Sequence, residues 1–149
     1  MAITGWKDAR AELKTILEGV SITSPITETI ARVYEFPPAQ VQDQPCIIIY
    51  PPALDVQRNI GSLRIKNYRV ICRLLLRDED LGRASELADA YREALADKID
   101  DNVTLNGKAT VVSSQEITAV GNFSEAGYPF FGLDCILGIE FKETATFNA

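Results

Sequence analysis

Leu63-Arg64-Ile65-Lys66-Asn67-Tyr68-Arg69-Val70-Ile71-Cys72-Arg73-Leu74-Leu75-Leu76-Arg77 is the stretch whose reading decides the fold. In an extended chain successive side chains point to opposite sides. Tyr68, Val70, Cys72, Leu74 and Leu76 therefore share one face, and Arg69, Ile71, Arg73, Leu75 and Arg77 share the other. A strand this long needs neighbours. Upstream, residues 54–60 supply one arm of a hairpin that turns near residues 59–62, where Gly61 can take positive φ. Downstream, residues 109–119 and 129–142 read as a second pair of long strands, joined by a loop over residues 120–128. On the last of these Leu133, Cys135, Leu137, Ile139 and Phe141 face one way, against Asp134, Ile136, Gly138, Glu140 and Lys142.

Two helices complete the pattern. Trp6, Ala9, Leu13, Ile16, Leu17 and Val20 recur at helical spacing, with Thr4 as an expected N-cap and Gly19 as the stop. Leu81, Ala84, Leu87, Ala88, Tyr91, Leu95 and Ile99 form a longer apolar stripe over residues 81–99, capped by Asp78 or Asp80. Residues 21–29 read as a connection and residues 30–36 as a strand. Cys46-Ile47-Ile48-Ile49-Tyr50, bracketed by Pro45 and Pro51-Pro52, reads as a short strand buried on both faces. Asn106-Gly107 marks a turn. The order predicts an α+β fold, a mostly antiparallel sheet of long hairpins with two helices packed on one face. The expected organisation is one domain over residues 1–143 and a short C-terminal tail over residues 144–149.

The 149 residues suffice for one core, and 46% hydrophobic with 24% charged residues is a globular composition. No apolar run is long enough to span a bilayer, and the N-terminus lacks the basic and apolar regions of a signal peptide, so a cytosolic origin without membrane contact is expected. Cys46, Cys72 and Cys135 are spaced too widely for a metal knuckle and are read as buried, reduced core residues. A net charge of −6 weighs against a generic nucleic-acid binder, which needs a basic stripe.

The chain contains no histidine, which removes the commonest general base and the Ser-His and Cys-His nucleophile pairs. No catalytic residue and no cofactor or metal site is assigned, and the expectation is a protein that is not an enzyme. Asp78-Glu79-Asp80 suits a helix N-terminus better than a cation, because the alternating ligands and glycine of a calcium loop are missing. Residues 121–127 hold glycines but no Lys-Ser/Thr, and they join two strands, so they read as a hairpin loop and not a phosphate loop. Phe123 and Tyr128, beside Phe130 and Phe131, belong either to the core or to an interface.

Arg69, Arg73 and Arg77 interleaved with Ile71 and Leu75 suggest a subunit contact, since an ordinary wet face rarely carries such aliphatics. Asp97, Asp100 and Asp101 sit at a helix C-terminus, where negative charge is unfavourable, and read either as simply solvent-exposed or as the complement on a neighbouring subunit.

Taken together, the N-terminal helix, Tyr34-Glu35-Phe36-Pro37-Pro38, the Pro45–Pro51 strand, Tyr68-Arg69-Val70-Ile71-Cys72-Arg73, the helix over residues 81–99 and the closing hairpin through Gly132-Leu133-Asp134-Cys135 resemble one family. The chain resembles, over residues 5–143, the tail-terminator and tail-completion proteins of long-tailed bacteriophages. The resemblance implies a structural virion assembly protein, assembled in the host cytoplasm and located in the tail or neck. It implies a self-associated ring, a hexamer, that caps the tail tube and joins it to the head. Its partners would be the tail tube protein and a head-side connector protein, with DNA passing through the bore without specific binding. A head-side neck or head-closure connector is the nearest alternative. A small-molecule-binding or catalytic α+β domain with an acidic pocket is the alternative of another class.

Overall fold

The structure, a computed structural model, describes residues 5–41, 43–58, 63–76, 81–118, 121–125 and 128–144. Helix α1, Trp6–Glu18, buries Ala9, Leu13, Ile16 and Leu17, the stripe its spacing predicts. Its N-cap is Gly5, which offers no side-chain acceptor, and the expected cap Thr4 lies outside the described residues. The helix ends at Gly19 without a basic residue in its last turn. The ammonium of Lys98 lies against Gly19, so that an added Cβ would meet Nζ at 2.9 Å. A cation from elsewhere in the fold thus stands at the negative end of the α1 dipole.

The segment read as a connection contains a small antiparallel pair, β1 (Ser21–Ile22) with β2 (Glu28–Thr29). The main sheet is built from β3 (Arg32–Tyr34), β4 (Cys46–Ile49), β5 (Ala53–Arg58), β6 (Leu63–Leu76), β7 (Val111–Ile117), β8 (Gly121–Glu125) and β9 (Tyr128–Thr144). Helix α2, Leu81–Asp100, lies between β6 and β7 in sequence. The strand order is β3-β4-β6-β9-β7, with β5 beside β6 and β8 beside β9. Only the β3–β4 pairing is parallel among these; the rest are antiparallel.

The two long strands, β6 and β9, form the spine, in register from Leu63 opposite Thr144 to Leu76 opposite Phe131. β4 and β5 follow one another along the outer side of β6, with Pro51 and Pro52 between them. β7 and β8 follow one another along the outer side of β9. The reading of residues 120–128 as a loop is corrected here: residues 121–125 form a strand that folds back on β9 in a tight hairpin. β9 also runs two residues past the expected end at residue 142, so Thr144 belongs to the sheet and not to a tail.

Both helices pack on one face of this sheet, giving the α+β layering. Leu13, Leu17, Tyr91, Leu95 and Ile99 interlock with Val70, Leu74, Leu133, Leu137 and Ile139, all at 1% exposure or less. Between α2 and β7 the chain turns through Leu105 and Asn106 at positive φ (48° and 55°) and Gly107 at 82°. A left-handed leucine is disfavoured; Leu105 is fully buried, and that burial offsets the cost. No helix among the described residues is long and apolar enough to cross a membrane.

Candidate assembly interface

The strand register assigns each residue of β6 to a face. Arg69, Ile71, Arg73 and Leu75 lie on the side away from the helices, as the alternation predicts, and Arg77 lies outside the described residues. Arg69 is exposed, flanked in register by Ala53 and Gly138, and Ile71 is half-buried opposite Ile136. With Ser114 beside Gly138, this region forms an open groove of about 520 Å³ across four strands.

Arg73 departs from the expected role. Its Nε donates to Asp134 Oδ1 at 2.8 Å and Nη2 donates to Oδ2 at 3.2 Å. The guanidinium carbon lies 5.2 Å from the centre of the Tyr50 ring. Arg73 therefore finds its countercharge inside the chain, on the strand directly opposite, and needs none of Asp97, Asp100 or Asp101. Leu75 is likewise internal. It is fully buried with Cys46 and Ile48 in a second, smaller core, covered by Tyr34, Val41, Tyr50 and Phe130. The physical reason is that the sheet is two-sided at this end: the chain between β3 and β4 brings Val41 over the face that alternation alone leaves wet.

Asp97, Asp100 and Asp101 are exposed on the helix side of the sheet. Asp100 accepts a long hydrogen bond, 3.5 Å, from Gln115 Nε2 on β7. They continue a run of exposed carboxylates along α2, namely Glu86, Asp89 and Glu93, one helical turn apart. The backbone of Phe123 is paired with Phe130, and that of Tyr128 with Glu125, at the β8–β9 hairpin; their side chains lie outside the described residues. Phe130 does reach the smaller core.

Two residues that sequence reasoning passed over stand out. Leu54 and Val56 are 50% and 37% exposed, on the helix-side face of β5. They stand opposite Tyr68 and Lys66 of β6, beyond the stacked Trp6 and Tyr68 rings. The alternation Leu54-Asp55-Val56-Gln57 carried the signal, since an edge strand with one apolar face needs a cover. β5 pairs with β6 alone among the described residues.

Three titratable groups in the core are pushed toward their protonated forms. Burial, then the neighbouring Cys135 and Asp134, holds the Cys72 thiol well above its ordinary range. Burial and Asp134 push Cys135 up to about 12. These two thiols stand opposite one another on β6 and β9. Burial also raises the Tyr91 phenol, whose hydroxyl donates to Glu28 Oε1 at 2.6 Å. No group of three or more His, Cys, Asp or Glu side chains among the described residues is placed to hold a metal. The acidic Asp78-Glu79-Asp80 segment lies outside those residues. Two further open grooves are lined by Lys14, Glu18 and residues 30–40, and by Glu93, Asp97, Lys98 and Asp101 facing residues 19–24. No protein-family model matches the chain, and no curated protein matches it.

Proposed function

We propose that the chain is a ring-forming assembly protein of a phage virion, a tail terminator that caps the tail tube and joins it to the head. The observation that carries this reading is the pair of long hairpins, whose outer strands, among the described residues, lie at opposite borders of one sheet. β5 borders it beyond β6, and β7 with β8 border it beyond β9. Two different edges on one subunit suit a heterologous contact, which closes into a ring when the rotation per subunit allows. The sequence resemblance to tail-completion proteins supplies the biological setting. A net charge of −6 per subunit, repeated around a ring, gives a negative field through which DNA can pass without adhering.

The test is the mass of the native particle by sedimentation and native mass spectrometry. Six times the 16.4 kDa of the chain is expected, with rings visible by negative-stain microscopy. A monomer at tens of micromolar would remove the ring from consideration. Addition of the ring to polymerising tail-tube protein should stop tube growth. Binding to a head-side connector without any effect on tube growth would assign the protein to the neck.

A further inference from the structure

We infer that Asn106 is a self-modifying site: the backbone nitrogen of Gly107 converts its side chain to isoaspartate or aspartate, at a rate set by the turn folded around Thr104. Asn106 alone among the asparagines of the chain precedes a glycine. Glycine has no Cβ to shield its nitrogen, so the main chain can approach the preceding carboxamide closely. Asn106 is exposed at φ 55°, between Leu105 at 48° and Gly107 at 82°. Among the described residues its carboxamide has no hydrogen-bond partner. Asn102 is held by contrast, its Nδ2 donating to the Lys98 carbonyl at 2.8 Å. Asn67 lies inside β6, opposite Asp55 on one side and Glu140 on the other.

The reaction needs only this chain and water. The Gly107 nitrogen loses its proton and bonds to Asn106 Cγ; the Cγ–Nδ2 bond breaks, and ammonia leaves as a succinimide ring closes. Water then opens the ring. Attack at Cγ gives aspartate, whereas attack at the Asn106 main-chain carbonyl carbon gives isoaspartate, whose backbone runs through Cβ and is longer by a methylene. Nothing is oxidised or reduced, and each ammonia released matches a water consumed.

In the folded turn the attacking nitrogen is held off this path. The Gly107 N–H donates to the Thr104 carbonyl at 3.0 Å and lies 3.4 Å from Thr104 Oγ1. The Ala109 N–H donates to the same carbonyl at 3.0 Å, and the fully buried Leu105 pins the turn to the core. The nitrogen is freed only when these bonds open, and a loop opens locally at less cost than the whole fold. The two products differ in effect. Aspartate tolerates a left-handed position as asparagine does, and it adds one negative charge to the −6 of the chain. Isoaspartate lengthens the main chain between Leu105 and Gly107, which shifts the Gly107 N–H away from Thr104 and strains the seat of Leu105.

The experiment ages the full chain at mildly alkaline pH, with and without denaturing urea, and digests it briefly with trypsin at mildly acidic pH. Cleavage after Lys98 and Lys108 gives one peptide that carries both Asn102 and Asn106. Mass spectrometry should show NH replaced by O at Asn106 with Asn102 intact, and electron-based fragmentation should locate isoaspartate there. Conversion in urea should run about tenfold faster than in the folded chain. Asn106→Gly, which keeps the left-handed turn, should abolish the change. Asn106→Asp should melt like fresh wild type, whereas aged wild type should gain a second, lower transition. Conversion of Asn102 as fast as Asn106, or an unmodified Asn106 after ageing in urea, would overturn the site. Equal rates in the folded and unfolded chain would overturn control by the turn.

Discussion

Arg73 and Asp134 face one another across β6 and β9, joined by two hydrogen bonds of 2.8 and 3.2 Å, with side chains 22% and 15% exposed. The backbone N–H of Asp134 in turn donates to Thr118 Oγ1 at 3.0 Å, so the pair is tied to the strand beyond. Breaking one side of such a pair leaves a partly desolvated charge alone. Arg73→Glu should therefore cost about 2–3 kcal/mol of folding stability, less than a fully buried pair would. Urea denaturation measures it, and combining Arg73→Glu with Asp134→Arg should recover part of the loss. A variant as stable as the wild type would mean the pair contributes nothing to the fold.

Gly121 and Gly132 are cross-strand partners with opposite tolerance. A Cβ on Gly132 would collide with the backbone carbonyl oxygen of Leu74, whereas one on Gly121 meets nothing within 4 Å. Gly132→Ala must shift the backbone of the β6–β9 spine and should lower stability by roughly 1–3 kcal/mol. Gly121→Ala should be neutral or slightly stabilising, because it only restricts the unfolded chain. Thermal melting of the two variants side by side gives the comparison, and equal melting temperatures would contradict it.

Alkaline pH should destabilise the fold through its thiols. The folded chain holds Cys135 protonated up to about 12, against an ordinary 9.0, and burial shifts Cys72 the same way. The unfolded chain binds fewer protons above pH 9, so stability is complete below that value and falls as pH rises from 9 toward 12. Each thiol contributes a slope of about 1.4 kcal/mol per pH unit in that window. Denaturant midpoints at pH 8, 9 and 10 should show the decline, and Cys135→Ala should reduce it to the share of Cys72. A midpoint constant across this range would refute the account.

Leu87→Asp places a carboxylate in the apolar stripe of α2, where Leu87 is 8% exposed. An unpaired charge there should cost several kcal/mol, comparable with the stability of a domain this size. The expected outcome is insoluble or non-cooperatively melting protein. A soluble variant with a sharp transition would show that α2 buries a different side.

The sequence by itself determined the two helices, the long strands β6 and β9 and the faces of each, because side-chain period is a local property. The alternation in β6 and β9 and the 3.6-residue stripes of α1 and α2 each name the buried side directly. Val70, Cys72 and Leu74 are buried as that pattern requires, and so are Leu13, Leu87 and Tyr91. Only the tertiary structure decided what lies against the remaining faces. Periodicity says that Arg73 and Leu75 point away from the helices, yet their neighbours come from distant segments. Asp134 is 61 residues away in the chain, and Val41 and Phe130 arrive from β3's exit and from β9. Leu54 and Val56 are unremarkable in composition, and they stand out because β5 ends up at a border where, among the described residues, it pairs with β6 alone. Burial of one residue depends on the placement of all the others, and that is fixed by how strands pair, which no single strand's pattern encodes.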